Sequence, residues 1–151
     1  MKIPLGPAIA IAGVAIIGAT LAGAWWWWQQ NAERLKESAR ASYAEGRRAG
    51  AALTESGCLA AAFERHRDPQ NQAFAESIRT NLILRGCLDV SRVEAAFCEG
   101  VPAKDNVVTL GAWAAQRCIS LNFADSYCSQ ILTQVAKHCA SPERALKLRQ
   151  S

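Results

Sequence analysis

The sequence lacks every familiar catalytic motif. No G-x-S-x-G, H-E-x-x-H, Walker or G-x-G-x-x-G pattern occurs in its 151 residues. These absences exclude the common serine hydrolases, zinc proteases and nucleotide-binding enzymes, because the chemistry of each class depends on one of those spacings. We therefore expect a non-enzymatic protein, with no catalytic residues and no cofactor.

Closely spaced metal and redox ligands are also missing. The nearest two cysteines, Cys118 and Cys128, have nine residues between them, so no C-x-x-C redox motif, C-x-x-C-H haem site or paired zinc site is present. Histidine is scarce, with only His66 and His138. Since His138 beside Cys139 supplies at most half of a metal site, we predict that no metal is bound.

The chain also lacks a concentrated patch of one charge. Its formal net charge is +4, but basic and acidic residues alternate, as in Glu33, Arg34, Lys36 and Glu37. Interleaved charges of this kind are typical of a solvated helix face. We therefore predict no nucleic-acid partner.

Charge is absent altogether from one long stretch near the N-terminus. No charged residue lies between Lys2 and Glu33, and the segment 5–28 is almost wholly apolar. Twenty-four helical residues span about 36 Å at ~1.5 Å per residue, enough to cross a hydrocarbon core of ~30 Å. This pattern predicts a single transmembrane anchor at 5–28, preceded by a short tail at 1–4.

Four consecutive tryptophans, Trp25, Trp26, Trp27 and Trp28, end this segment. Indole rings favour the headgroup level of a bilayer, so these residues are predicted to mark one membrane interface. A cleaved signal peptide is the alternative, because Ala22, Gly23 and Ala24 have the small-residue form of a cleavage site. Both interpretations place the rest of the chain on the same side of the membrane.

One face of the predicted anchor consists of small residues. Such a face allows close approach of a second helix, which suggests packing against other membrane-protein subunits. General alanine and glycine richness of the segment explains the same pattern without a partner. The residues concerned are Ala8, Ala12, Ala15, Ala19 and Gly23.

Two features of the sequence predict opposite orientations of the chain in the membrane. Basic residues after the anchor, Arg34, Lys36 and Arg40, favour a cytoplasmic domain under the positive-inside rule. All six cysteines also follow the anchor, and an even number on one side of a membrane favours disulfides in an oxidising compartment. We give the cysteines more weight. Alanine richness with arginine favoured over lysine is typical of a bacterium of high genomic G+C, so the predicted location is the bacterial inner membrane, with the C-terminal domain in the periplasm.

Helical patterns and turn residues divide the chain after the anchor. The proline after Asp68 ends a long first helix, predicted to run from the membrane to about His66, and suits the start of a second. Ser91 and Glu94 have the spacing of a capping box for a short helix. Asp125 or Ser126 suits the start of the last helix. The later helices are predicted at about 69–87, 91–98, 107–121 and 126–139.

These helices limit the disulfide pairing. Cys128 and Cys139 share a helix and lie ~16 Å apart, whereas a disulfide needs Cα atoms within ~7 Å. Cys118 and Cys128 are equidistant from a turn near Phe123 and face each other across a hairpin. Cys58 and Cys87 can meet across the hairpin at Asp68 and the following proline, and elimination then joins Cys98 to Cys139.

The cysteine spacings resemble those of the coiled-coil-helix-coiled-coil-helix proteins of the mitochondrial intermembrane space. Nine residues separate Cys118 from Cys128, and ten separate Cys87 from Cys98 and Cys128 from Cys139. The resemblance covers under half of the chain. It departs from the family because that family has paired nine-residue spacings and this chain has one. It implies only that cysteines three turns apart link antiparallel helices, and no function is carried over.

The sequence therefore predicts an all-α protein, with one N-terminal transmembrane helix followed by a small disulfide-stapled helical-hairpin bundle. After the anchor we expect a polar helical stalk at 29–56, weakened by Gly46 and Gly50, a disulfide-linked domain at 57–140 and a frayed basic tail at 141–151. The stalk is either a spacer or a helix that packs its alanine face against a partner. The segment 97–102 is either a helix stop or a contact loop.

Two functions are favoured by these features, and an enzyme with an unfamiliar site is a third alternative. The first is a non-enzymatic, membrane-tethered accessory subunit of an envelope complex, whose partners are the bilayer and other membrane-protein subunits. A phage-type lysis protein would be a variant of it. The second is a periplasmic binding or inhibitory module that the anchor merely holds near the membrane.

Overall fold

The computed structural model describes the backbone of residues 5–71, 73–123 and 125–150, and the side chains of 13–71, 73–123, 125 and 127–150. Within these ranges the protein is all-α, as predicted, with six α-helices and two short 3-10 turns. The helices are α1 Leu5–Gly50, α2 Glu55–Arg67, α3 Phe74–Val90, α4 Val107–Ser120, α5 Ser126–Cys139 and α6 Pro142–Gln150, and the turns are Pro69–Asn71 and Ala95–Cys98.

The chain divides into two compact units, Met1–Ser38 and Ala39–Ser151, which are described separately. In the first unit, the described side chains from Val14 to Gln30 are exposed. Among the described residues, no helix combines the length and apolarity needed to cross a bilayer. The predicted anchor 5–28 begins in residues whose side chains lie outside the described part of the chain.

The second unit has its core where α2, α3, α4 and α5 meet. Leu84, Leu88 and Ile131 are each 1% exposed, and the buried disulfide of Cys58 with Cys87 lies among them. Each of these helices presents an apolar stripe to the same interior, as amphipathic helices of a bundle do. The three disulfides then fix the helix pairs that surround this core.

Close contact between the end of α1 and α3 depends on glycine. A Cβ atom added at Gly46 would overlap the backbone carbonyl of Ile83, and one at Gly50 would overlap the backbone of Cys87. On the opposing helix, a Cβ at Gly86 would meet the carbonyl of Tyr43. Glycines that weaken an isolated helix therefore permit the tight α1–α3 crossing. The predicted weakening of a stalk by Gly46 and Gly50 missed this role.

The predicted uninterrupted helix to about His66 is wrong, since α1 ends at Gly50 and α2 begins at Glu55. Thr54 is the N-cap of α2 and its hydroxyl accepts a hydrogen bond from Gly57 N–H at 3.2 Å. A capping side chain competes with continued helix and starts a new one. The end predicted for this helix is close to the observed end of α2 at Arg67.

Two other predicted helix starts need correction. Gln70 N–H donates to the Asp68 carboxylate at 2.9 Å and forms a turn, so the α-helix begins at Phe74 rather than at Pro69. Ser91 is the C-cap of α3 and does not open a capping box. The Glu94 carboxylate instead accepts a hydrogen bond from Ser56 N–H at 2.7 Å, in the first turn of α2.

Helix α6 occupies the segment predicted to be a frayed basic tail. It begins at Pro142, and Ser141 Oγ accepts a hydrogen bond from Arg144 N–H at 3.2 Å. Arg144 is only 5% exposed. A buried ion pair, described below, orders this segment, and local sequence gives no sign of that pair.

Candidate functional site

A groove opens between α4 and the segment after the second 3-10 turn. We call it the Trp113 groove, and its volume is about 510 Å³. Its apolar lining comes from four parts of the chain. It is formed by Leu59 of α2, Phe97 of the 3-10 turn, Trp113 of α4, and Leu132 and Val135 of α5.

Local sequence explains why α4 presents Trp113 here. Asn106 caps the helix by accepting a hydrogen bond from Thr109 N–H at 3.1 Å. From that start, Leu110, Ala114 and Cys118 fall on the buried face at helical spacing. Trp113 lies beside this stripe, so its ring packs against the core while part of it remains open to solvent.

Polar side chains stand at the rim of the groove on both walls. Glu99 follows the 3-10 turn, whereas Gln116 and Arg117 belong to α4. Within the described part of the chain, Glu99 and Arg117 form no ion pair, and neither the Gln116 amide nor the Trp113 indole N–H forms a hydrogen bond. An apolar floor with a few unused polar groups at its edge is the usual character of a binding surface.

Disulfides hold both walls in place. Cys118 and Cys128 join α4 to α5, and Cys98 and Cys139 join the opposite wall to the end of α5, with Cα–Cα distances of 6.0 and 5.6 Å. Cys98 directly follows Phe97 of the groove. The covalent links therefore fix both walls relative to α5, which supplies part of the floor.

A buried charged cluster lies at the start of α2. Glu55 is fully buried, and its carboxylate accepts hydrogen bonds from Arg144 Nε at 2.6 Å and Arg144 Nη2 at 3.0 Å. His138 Nε2 lies 2.7 Å from Glu55 Oε1, and Glu94 N–H donates to Oε2 at 2.9 Å. Arg144 also donates to the Glu94 carbonyl at 2.8 Å. The four residues bring together the start of α2, the end of α5, α6 and the segment before Phe97.

Burial alone would raise the pKa of Glu55, because desolvation disfavours the carboxylate. The hydrogen bonds from Arg144, from Glu94 N–H and from His138 outweigh it, so the pKa of Glu55 is lowered from its ordinary value. The carboxylate is thus ionised and satisfied by its neighbours.

The cluster combines a carboxylate, an imidazole and a guanidinium, which are groups that enzymes also use. Their arrangement here suits a structural role. His138 is 8% and Arg144 5% exposed, and the Glu55 carboxylate is fully enclosed by its partners. A general acid or base must reach the substrate atom whose proton it moves. Enclosure therefore argues for a clamp that holds α6 and the groove wall to α2.

The second histidine forms a similar pair at the other end of α2. His66 is 1% exposed, and its Nε2 lies 2.9 Å from Asp125 Oδ1. Asp125 is the N-cap of α5, as predicted, and accepts hydrogen bonds from Tyr127 and Cys128 N–H. The Phe63 and Phe123 rings stack beside the pair at 5.3 Å, and Arg67 lies 5.4 Å above the Phe123 ring.

Sequence reasoning placed the two histidines apart from this role. His66 only marked the predicted end of the first helix, and His138 was set aside as at most half of a metal site. Among the described residues no group of histidine, cysteine and carboxylate side chains is arranged to hold a metal. The only local signal for the observed roles was the capping pattern at Asp125, since the carboxylate partners lie 59 and 83 residues away along the chain.

The predicted cysteine pairing is confirmed. The structure joins Cys58 with Cys87, Cys98 with Cys139 and Cys118 with Cys128, and leaves no cysteine free. Four of the sulfur-bearing residues are buried, while Cys98 and Cys139 are partly exposed. The partly exposed pair, Cys98 with Cys139, secures the wall that carries Phe97.

The structure places the predicted membrane residues on α1. The side chains of Trp25, Trp26, Trp27 and Trp28 are 52–66% exposed. Ala15, Ala19 and Gly23 are exposed as well, and nothing in the described chain lies within 4 Å of a Cβ added at Gly23. The side chains of Ala8 and Ala12 lie outside the described residues.

A second cleft of about 490 Å³ lies between α3, α5 and α6. Arg85, Asp89, Lys137 and Glu143 line it, so cations and anions alternate around its edge. The Asp89 carboxylate already accepts a hydrogen bond from the Tyr43 hydroxyl at 2.5 Å. The lining of this cleft offers less apolar area than that of the Trp113 groove, which is therefore the better candidate for binding an apolar group.

Comparison with known proteins gives no relative: no protein-family model, no curated protein and no solved structure matches this chain.

Proposed function

We propose that this chain is a non-enzymatic accessory subunit of a membrane protein complex, which contacts a partner subunit through the Trp113 groove. The groove is the observation that carries the proposal. The aromatic rings of Phe97 and Trp113 are partly exposed in a concave, covalently fixed surface, and such rings are characteristic of protein contact sites.

Attachment to a bilayer is supported by the amino-acid sequence. Residues 3–32 carry no charge, and the segment 5–28 has sufficient helical length to cross a hydrocarbon core. Four exposed tryptophans end this segment, at the place where indole rings commonly meet lipid headgroups.

The six cysteines support a domain outside the cytoplasm. Disulfides persist in oxidising compartments, of which the periplasm is one, and all six cysteines of this chain are paired. The basic residues Arg34, Lys36 and Arg40 argue for the opposite orientation. We give the disulfides more weight because four of the paired cysteines are integral to the core.

Purification of the full-length, tagged protein from its native membrane tests the proposal. A Ser120→Trp variant fills the groove at an exposed position of α4, and Ala115→Trp adds the same ring to an exposed position that does not line it. We expect a membrane partner to copurify with the parent chain and with Ala115→Trp, and to be lost with Ser120→Trp. A chain that is recovered alone, or with reduced cysteines, contradicts the proposal.

A periplasmic binding module is the second candidate. The groove volume of about 510 Å³ falls within the range of roughly 300–1,000 Å³ of small-molecule sites, which favours it. Replacement of residues 5–28 by an unrelated membrane anchor separates the two functions. An accessory subunit docks through its own helix as well as through the groove, so it would lose its partner, whereas a binding module would keep its activity.

A further inference from the structure

We infer that the Trp113 groove binds a polypeptide segment that inserts one large apolar side chain, flanked by a basic residue at Glu99 and an acidic residue at Arg117. The inference rests on the proposed function and specifies the chemistry of the partner. It is argued from the charges, the unused polar groups and the fixed walls of the groove.

The floor of the groove selects an apolar side chain. Leu59, Phe97 and Trp113 line the groove with partly exposed apolar side chains, and the buried Leu132 and Val135 lie beneath them. Transfer of an apolar side chain from water to such a lining is favourable by about 25 cal/mol per Å² of buried area. A charged or small polar side chain would gain little there and would lose hydration.

The rim selects charges of both signs. Glu99 and Arg117 lie on the two walls, are exposed, and form no ion pair within the described chain. A segment with a cation on one side of its apolar residue and an anion on the other complements both. Charge complementarity of this kind fixes the direction of a bound chain more than it adds affinity.

The rim also has hydrogen-bonding groups that suit a main chain. No described residue bonds to the Gln116 amide or to the Trp113 indole N–H. A peptide group supplies one donor and one acceptor per residue, so a segment lying across the groove can use both. Uniformly anionic lipid headgroups would match Arg117 and be repelled by Glu99, which favours a polypeptide over a membrane surface.

The walls are held in place before any partner arrives. The Cys98–Cys139 disulfide joins one wall to α5, and Arg144 donates to the carbonyl of Glu94, just before that wall begins. The Cys118–Cys128 disulfide holds the other wall. Little ordering is therefore needed on binding, and preorganisation of this kind improves affinity.

Titration of the full-length protein with defined peptides tests the inference. The protein is labelled with 5-fluorotryptophan and studied in detergent micelles by ¹⁹F NMR. The resonance of Trp113 is assigned by comparison with the Trp113→Phe variant. The probes are short synthetic peptides with a central leucine, flanked by lysine on one side and aspartate on the other, in both orders. Matched peptides carry a central serine, two lysines or two aspartates.

We expect one order of the leucine peptide to shift the Trp113 resonance saturably, and the serine peptide to leave it unchanged. Glu99→Lys or Arg117→Glu should weaken binding by about two- to fivefold, as for other exposed ion pairs. The double reversal should transfer the preference to the opposite order. Ser120→Trp should weaken binding by more than about tenfold, whereas Ala115→Trp and Arg40→Glu should not.

Several results would overturn the inference. They are equal binding of serine and leucine peptides, no shift with any peptide, and equal effects of Ser120→Trp and Ala115→Trp. A shift that depends on protein concentration alone would show that a second copy of the chain occupies the groove. If a membrane partner still copurifies with Ser120→Trp, the accessory role stands but the Trp113 groove is not the binding site. Peptide binding with no membrane partner leaves the site and contradicts the accessory role.

Discussion

Helices α2 and α5 run antiparallel and are joined at both ends by a histidine–carboxylate hydrogen bond, but water reaches the two ends to different extents. At one end, Glu55 is fully buried and holds His138 and Arg144. At the other end, the Asp125 side chain is 38% exposed and holds His66. The same histidine–carboxylate hydrogen bond is therefore present once in the protein interior and once where solvent reaches the carboxylate.

The difference teaches which contacts the fold depends on. A buried charge is costly unless every neighbour compensates it, so removal of one member of the Glu55 cluster leaves an unpaired charge in the interior. At the Asp125 end, solvent screens the carboxylate and replaces part of what a lost partner supplied. We expect mutations at the buried end to be the more damaging.

The largest effect is expected for Glu55→Ala. This change leaves the Arg144 guanidinium and His138 buried without their acceptor, and should lower the free energy of unfolding by about 3–5 kcal/mol. Urea denaturation with the disulfides intact measures it. Arg144→Ala should cost a similar amount, and the double variant should cost clearly less than the sum because the two residues share one interaction. If Glu55→Ala lowered the free energy of unfolding by less than about 1 kcal/mol, the buried end would not be the more stabilising of the two contacts.

The second largest effect is expected when acid protonates Glu55 and so destabilises the buried cluster. The pKa of Glu55 is lowered from 4.5, because hydrogen bonds from Arg144, Glu94 N–H and His138 exceed the opposing effect of burial. A lowered pKa in the folded state means that the stabilisation is complete above the unfolded value and is lost as the pH falls through the folded one. Stability should therefore decline below about pH 4.5.

A Glu55→Gln variant tests the source of this decline, since it cannot titrate. The pKa of Asp125 is also lowered, from 3.8, because hydrogen bonds from His66 and from Cys128 N–H exceed the effect of burial. Its contribution is screened by solvent and is lost as the pH falls through its own lowered pKa. Urea midpoints between pH 6 and pH 3 should therefore fall less steeply for Glu55→Gln than for the parent. Equal slopes would assign the acid sensitivity to other carboxylates.

Cysteine pairing could be predicted from the sequence because it follows from local geometry. Helix lengths separate Cys128 from Cys139, and a turn brings Cys118 opposite Cys128, so few pairings remained. The six-cysteine framework therefore identified which helices pack together before any tertiary contact was known.

The buried cluster could not be predicted in this way. Glu55 and Arg144 lie 89 residues apart, in segments assigned to a stalk and a tail by their polar composition. Gly46 and Gly50 illustrate the same limit. A glycine in a helix can indicate either a weak helix or a close contact between backbones, and the sequence alone does not distinguish the two. The Trp113 groove likewise needs Phe97 and Trp113 to stand on opposite walls, and spacing along the chain does not show that.

Asp125→Ala should have a smaller effect than Glu55→Ala, of about 1–2 kcal/mol. The variant loses the N-cap of α5, which is typically worth ~1 kcal/mol, together with the hydrogen bond to His66. Asp125→Asn keeps a capping oxygen and should retain most of the stability. Urea denaturation at pH 7 measures both variants. A loss with Asp125→Ala that exceeds that of Glu55→Ala would reverse the comparison of the two ends.

The smallest effect is expected for Arg67→Ala, at the hydrated end. Arg67 lies over the Phe123 ring and pairs with Glu64, but the side chains of Arg67 and Glu64 are both exposed to water. Exposed cation–π contacts and surface ion pairs each contribute up to about 1 kcal/mol, and the surface pair is screened by salt. The loss in free energy of unfolding should therefore be under about 1 kcal/mol. Arg67→Lys, which keeps the charge, should lose less, and Arg48→Ala on exposed α1 provides the baseline for an arginine without an aromatic contact. If Arg67→Ala instead destabilised the chain as much as Asp125→Ala, the Phe123 stack would be the main joint at this end, and the histidine–carboxylate pair would be secondary to it.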